Sequence, residues 1–313
     1  MPFKPVQQKF NAKINTLSIG TGEKTVTLGG ESVFPFYSFD APIENRPSVG
    51  VEISDLGIDE ALPGVAEFYK GCASLPELAK RASEMPGADF LAISLDGAHP
   101  DNGDRSVEDT AALVKEIAAA VDAPIVIEGC RNVEKDSKLF EKIAEALDGR
   151  NVLFLSAREE NYKSVSAAAA MAYSQKIGAE SAVDINLAKQ LNVLISQMGV
   201  KTESVAMNLG SAAAGYGFEY VATTFDRVKS AALAQNDNML QMPIVTPVAS
   251  EVWTVKESIV SEADFPDWGP AEERGISMEI ATAAACLTAG SNAVILRHPD
   301  SVAAVSKLIA ELV

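Results

Sequence analysis

The sequence predicts an α/β protein, a (β/α)8 TIM barrel with an N-terminal hairpin extension, and three observations carry that prediction. From residue 47 a short β-rich run, a polar strand end and an amphipathic helix recur in succession, and the unit can be counted eight times. The runs are nearly continuously apolar, as strands covered on both faces must be. Finally, 313 residues suit a single barrel as well as two smaller domains. An open doubly wound sheet is the alternative architecture.

In chain order, residues 13–31 read as a hairpin. Asn15, Leu17 and Ile19 alternate with polar neighbours, Val26 and Leu28 do so again, and Gly20-Thr21-Gly22-Glu23-Lys24 makes the turn. The irregular passage Phe34–Pro42 follows, so residues 1–46 are expected to pack as an extension on a barrel of residues 47–313. The expected barrel strands are 49–53, 90–95, 124–128, 152–156, 181–184, 204–206, 243–247 and 293–296. Their helices have their own signals. Ser74 and Glu77 have capping-box spacing before a helix at 74–85. Ser106 opens one whose apolar face carries Leu113, Val114, Ile117 and Val121. Later faces are marked by Leu139, Ile143 and Leu147, by Leu187, Leu191 and Leu194, and by Val305, Leu308 and Leu312.

Composition narrows the function. Forty-three acidic against 26 basic residues give a net charge of −17, a field that repels phosphate backbones, so nucleic acid is not an expected partner. No apolar run approaches the roughly 18 residues of a membrane span, and Met1-Pro2-Phe3-Lys4-Pro5 lacks the apolar core of a signal peptide. A cytoplasmic protein without membrane attachment is therefore expected. The three cysteines, Cys72, Cys130 and Cys286, are dispersed, and there are two histidines, His99 and His298. Neither an iron–sulfur cluster nor a multi-histidine metal site within this chain is expected. Buried or reduced thiols are expected, with Cys130 the one to watch because it ends a strand.

A barrel of this kind works at the C-terminal ends of its strands. Those ends offer Asp96, His99, Glu128, Asn132, Glu159, Asn161, Asp184, Asn186, Asn208, Thr246, Ser250, Arg297 and His298. No strand ends in a lysine suited to a Schiff base. Asp96 and Glu128 suit acid–base work, or with Asp184 the chelation of a hard cation; capping of helices by the same carboxylates is the plainer alternative. The stretch Asn208–Gly217 runs from a strand through a glycine- and alanine-rich loop into a helix. Gly210 and Gly215 have P-loop spacing, but Tyr216-Gly217 replaces the required lysine, and no Gly-x-Gly-x-x-Gly occurs. With few tall side chains, such a loop suits a broad flat ligand or a second protein; a tight strand-to-helix turn without a ligand is the alternative. The longest connection, Val248 to about Ala271, carries Trp253, Phe265 and Trp268 and reads as a lid or docking surface, with a satellite core under the loop as the alternative.

Five short passages carry a resemblance over essentially the whole chain. They are Gly29-Gly30-Glu31 with Pro35-Phe36-Tyr37, Asp96-Gly97-Ala98-His99-Pro100, the Asn208–Gly217 loop, Glu272-Glu273-Arg274-Gly275, and Leu296-Arg297-His298-Pro299. In these the chain resembles the small (delta) subunit of the corrinoid iron–sulfur protein of the acetyl-CoA synthase/decarbonylase (CO dehydrogenase) system. The resemblance implies a heterodimer with a larger subunit that carries an iron–sulfur cluster and a cobalamin domain. It also implies a methyltetrahydrofolate methyltransferase and acetyl-CoA synthase as further partners. The cobalamin (corrinoid) would then be shared, lying between the partner and this barrel's C-terminal face. Its expected neighbours here are Asp96, His99, Asn132, Asn161, Asp184, Asn208, Gly210, Ala212, Gly215, Gly217, Thr246 and Arg297. His99 is not expected to ligate cobalt, because Asp96-Gly97-Ala98-His99 has one residue too many for an Asp-x-His-x-x-Gly motif. The alternative is a self-contained pterin-dependent methyltransferase on the same barrel.

Overall fold

A computed structural model describes residues 6–313; residues 1–5, where the expected N-terminal extension begins, lie outside them. Two short strands, β1 (Leu17–Ile19) and β2 (Val26–Leu28), pair antiparallel, with Leu17 opposite Leu28. Eight parallel strands follow: β3 (Ser48–Ser54), β4 (Phe90–Ser94), β5 (Ile125–Glu128), β6 (Leu153–Ala157), β7 (Lys176–Glu180), β8 (Val205–Asn208), β9 (Val245–Pro247) and β10 (Ala293–Leu296). Their order, β8-β7-β6-β5-β4-β3-β10-β9, is a ring opened between β8 and β9. One bridge between Met207 and Ile244, with Met207 N donating to Pro243 O at 2.8 Å, brings the two edges together. The eight-unit rhythm is thus a nearly closed barrel.

Strand alternation divides the core in two. One set of side chains, among them Val49, Val51, Leu91, Ile93, Ile127, Ile177 and Met207, faces the helices. The other, Phe90, Ala92, Val126, Leu153, Leu155, Ala206, Val245, Ala293 and Ile295, fills the ring. Leu17, Ile19 and Leu28 of the hairpin belong to this inner cluster. The hairpin is held at the N-terminal end of the strands, where Asn15 N donates to Gln241 O (2.6 Å) and Gly20 N to Asn151 O (2.9 Å). It therefore plugs the bottom of the barrel, each buried aliphatic side chain contributing about 1.5–3 kcal/mol. Glycines make room inside. The Phe90 ring lies 2.2 Å from where a Gly50 Cβ would be, and Leu155 lies 2.3 Å from that of Gly178.

Behind the hairpin, Lys229 is 1% exposed and donates to Glu31 Oε1 (2.8 Å) and Asn292 Oδ1 (2.9 Å). Burial works against ionisation of Glu31, but the charge and hydrogen bond of Lys229 outweigh it and hold the carboxyl below its ordinary value.

One strand differs from expectation. The fifth barrel strand is Lys176–Glu180, and the expected 181–184 lies in the following loop. Ala182 and Val183 there have φ of 45° and 64°, a left-handed backbone that no strand can use. The capping signals hold: the helix Leu75–Ser83 is capped by Ser74, while Glu77 turns back to accept from Ala73 N at 2.6 Å. Among the described residues no helix is long and apolar enough to cross a membrane.

Candidate functional site at the barrel mouth

The alternation that places Gly50, Phe90, Ala206 and Ile295 inside the ring also aims the residues two steps on at its C-terminal mouth. Glu52 and Ser54, Ser94, Glu128, Glu180, Asn208 and Arg297 form this upper, polar layer above the apolar one. Two cavities open into it.

The first, about 220 Å³, lies over β3 and β10. Its polar wall is Glu52, Ser54, Asp96 and Arg297, and its apolar wall includes Ile58, Val65, Tyr69 and Leu78. Asp96 accepts from Ser54 Oγ (2.7 Å) and Ser94 Oγ (2.9 Å). Arg297 donates from Nε and an Nη to Glu52 Oε1 at 2.9 and 2.5 Å. Burial disfavours the guanidinium's charge, but Glu52 outweighs it and pushes the arginine's pKa up. From the helix Ala271–Ala289, the buried Glu279 accepts the backbone N–H of Arg297 at 2.8 Å and orients the residue.

The second cavity, about 150 Å³, lies over β5–β8. Glu128, Arg131, Ser156, Arg158, Glu180, Asn208, Ser250 and Glu251 line it. A register irregularity between Leu155 and Ala157 lets both Leu155 and Ser156 face it. Arg158 pairs with Glu180 at 2.8 Å. Arg131 has a left-handed backbone (φ 69°) and sends an Nη to Ser250 O at 3.4 Å. Such strain, costing about 1–3 kcal/mol, tends to persist at functional sites. Glu128 is 8% exposed, and its Oε1 makes no hydrogen bond among the described residues. Burial and, next, the charge of Glu52 push its pKa well above the ordinary carboxylate value, against the pull of Arg131 and Arg297.

The residues singled out from sequence separate into three groups. Asp96, Asn208, Gly210 and Arg297 line the cavities. Asn208 is tied by Nδ2 to Ser156 Oγ (2.9 Å) and by Oδ1 to Gly210 N (3.1 Å). Ala212, Gly215 and Gly217 stand on the loop above. At Gly215 (φ 93°) an added Cβ would meet nothing within 4 Å, whereas Gly217 (φ 79°) caps the helix Phe218–Leu233.

The third group is spent on local structure. Asn132 caps the helix Val133–Ala146 through Lys135 N, and Asp184 caps Ile185–Gln197 through Asn186 N. Asn161 accepts from Arg158 N at 2.7 Å, and His99 Nδ1 accepts from Asp101 N at 3.1 Å. Thr246 needs correction: it is 0% exposed and bonded to Ser291 Oγ at 2.5 Å, one position out of phase with the inward Val245, so it cannot reach a ligand at the mouth. Cys130 is buried as well, and burial, then Asp136, pushes its thiol up to about 12, which denies it a reactive thiolate. Sequence reasoning missed Glu52, Arg131, Arg158 and Glu180; Glu52 lies two residues on from the inward Gly50, a signal the sequence offers, whereas Glu180 belongs to the strand that the expected 181–184 displaced.

The long connection is short helices rather than open loop, Ala249–Val252, Lys256–Ile259 and a turn at Pro266–Trp268. Trp253 is buried, its ring 2.2 Å from where a Gly275 Cβ would lie. Phe265 and Trp268 stack at 4.5 Å, with Lys256 Nζ 4.2 Å from the Phe265 centroid. Arg274 gathers the segment by donating to the carbonyls of Glu257, Val260 and Gly269. The Tyr216 hydroxyl bonds Glu257 and joins this segment to the glycine-rich loop. Among the described residues no group of three or more His, Cys, Asp or Glu is arranged to hold a metal.

With this geometry in view, the profile of one family, CO dehydrogenase/acetyl-CoA synthase delta subunit, matches residues 16–307. Acetyl-CoA decarbonylase/synthase complex subunit delta 2 of Methanosarcina acetivorans is 34% identical over 296 residues, covering 92% of this chain and 66% of the relative. The delta subunit of Archaeoglobus fulgidus is 31% identical over 320 residues, 98% of this chain and 70% of its own. The chain thus spans about two thirds of the length of these relatives. Among solved structures, 7,8-dihydropteroate synthase from Vibrio fischeri superposes with a TM-score of 0.55 at 12% identity, covering 94% of this chain and 97% of that one. A dihydropteroate synthase of Coxiella burnetii in complex with pteroic acid gives 0.53 at 12%, covering 86% and 94%. At that identity the likeness concerns the fold alone.

Proposed function

The chain belongs to the CO dehydrogenase/acetyl-CoA synthase delta subunit family, and on that premise we propose that it is the barrel half of a corrinoid protein. In this reading a larger subunit holds the iron–sulfur cluster and most of the corrinoid, and this chain covers the exposed face of the ring with its mouth. The corrinoid, when bound, supplies a cobalt centre able to carry a methyl group between a methyltransferase and acetyl-CoA synthase. The chain's own residues bind and orient; none is assigned a catalytic step.

Two features of the mouth fit such a group. The loop 209–217 is rich in glycine and alanine, and at Gly215 the space above the backbone is open, as a broad flat ligand requires. Below it, Glu128, whose buried Oε1 has no partner among the described residues, lines a cavity with Asn208 and Arg131. The match to the delta-subunit family over residues 16–307 carries the reading, and these two features of the mouth fit it.

A second reading, a pterin held directly by the mouth, draws on the same unpartnered carboxyl. The test is to co-purify the chain with the corrinoid-bearing subunit and record the corrinoid spectrum and sedimentation of the product. The proposed function predicts a stable heterodimer, burying more than about 2,000 Å², that retains corrinoid better than the large subunit alone. Separate monomers at micromolar concentration would exclude it, and folate binding by the isolated chain would favour the second reading.

A further inference from the structure

We propose that the cavity over Glu128 receives an amide group of a small-molecule ligand, with Glu128 and Asn208 as the pairing residues. The inference rests on the reading of the mouth as a small-molecule face and adds the group that is gripped. Glu128 is more than nine-tenths buried, yet Oε1 has no partner among the described residues. Asn208 spends one amide hydrogen on Ser156 and one acceptor site on Gly210 N, which leaves it a hydrogen and a lone pair.

The charges around the cavity argue for a neutral ligand. Arg158 is already matched by Glu180, so neither is free to take an ion of opposite sign. Glu52 and Arg297 are likewise matched to each other, so an anion would face Glu251 and the neighbouring Asp96, and a cation would face Arg131. Burial, then Glu52, and further off Asp96, oppose ionisation of Glu128, while Arg131 and Arg297 favour it, and the balance is upward. A neutral carboxyl presents an O–H donor beside a C=O acceptor. That is the complement of an amide's C=O and N–H, so the pairing buries no charge. Ionisation removes the donor, so the pairing weakens as pH rises.

Amides of this kind occur on the carboxamide-bearing rim of a corrinoid and in the lactam ring of a pterin, and two probes distinguish these sources. Calorimetric titration of the full chain with dicyanocobinamide and with methyltetrahydrofolate, in the wild type and in Glu128→Gln and Glu128→Ala, is the experiment, with thermal midpoints recorded alongside. One probe should bind the wild type. Glu128→Gln, which keeps a donor and an acceptor, should bind it within about threefold and without the wild type's pH dependence; Glu128→Ala should weaken it at least about tenfold, the weight of one or two hydrogen bonds. Infrared spectra should show a carboxyl still protonated above pH 4.5 that Glu128→Gln abolishes, a readout independent of binding. Undiminished binding by a folded Glu128→Ala, or a Glu128→Gln loss as large as that of alanine, overturns the amide pairing alone. A wild type that binds neither probe overturns this proposal while leaving corrinoid retention by the heterodimer to be judged on its own spectrum.

Discussion

Arg297, one residue beyond the last strand, bonds Glu52 on the first strand of the ring through Nε at 2.9 Å, and the Glu52 side chain is only 1% exposed. The pair ties β3 to β10 at the mouth and sets the charge that Glu128 feels from across the ring. Breaking a buried pair from one side strands a charge and costs about 3–5 kcal/mol. Arg297→Met should therefore destabilise by about that amount, and Arg297→Met with Glu52→Gln should recover most of it. Denaturant unfolding in a double-mutant cycle measures the difference. The arginine variant alone should also raise the Glu128 pKa further, since Arg297 favours its ionised form.

The lower end makes a pH prediction of opposite sign to that of Glu128. Glu31 is held ionised by Lys229 below its ordinary value of 4.5 and regains that value when the chain unfolds. Between the two values the unfolded state binds more protons, so this stability is present above pH 4.5 and is lost as pH falls through the folded value. Glu31→Gln should flatten that acid limb, and Lys229→Met should cost about 3–5 kcal/mol at pH 7. Thermal midpoints from pH 3 to 7 test both.

Glu128 itself should lower stability as pH rises. Its folded value stands above 4.5, so the native state binds more protons in that interval and stability falls from pH 4.5 upward through the folded value. Glu128→Gln should therefore gain on the wild type with rising pH, by about 1.4 kcal/mol for each unit of the shift. A constant difference between the two at pH 5 and pH 8 would contradict the raised value.

At Gly215, Ala and Leu should pay the same left-handed backbone cost, about 1–2 kcal/mol. Only leucine projects far into the open space above the loop. Gly215→Leu should thus lower corrinoid content per heterodimer well below that of Gly215→Ala, with equal thermal midpoints of the two apoproteins. Equal corrinoid content in the two variants would show that the loop merely turns the chain.

Seven of the eight barrel strands were legible because apolar runs bounded by polar ends are what a doubly covered strand requires. Lys176–Glu180 escaped because Gly178 gives its place to Leu155 and both ends of the strand are charged, while Ser181-Ala182-Val183 looks extended but turns left-handed. At the mouth, strand ends identified the right neighbourhood without the right faces. Asn208 and Arg297 fall in phase with the inward Ala206 and Ile295, and Thr246 does not. Asn132 and Asp184 carry cap chemistry, which sequence alone cannot separate from ligand chemistry until the neighbouring amides are placed. The charge of Arg131 over the second cavity depends on a left-handed residue that no propensity foretells.

In the proposed function the C-terminal mouth is the face this chain turns to a corrinoid-bearing partner. Amide hydrogen exchange of the chain, alone and in the presence of the corrinoid-loaded large subunit, tests it most directly. Slowed exchange should concentrate at residues 209–217, at the turns after β4, β5 and β10, and in the 256–268 segment. Protection confined to the outer helices or to the hairpin end, with the mouth exchanging as in the free chain, would contradict it.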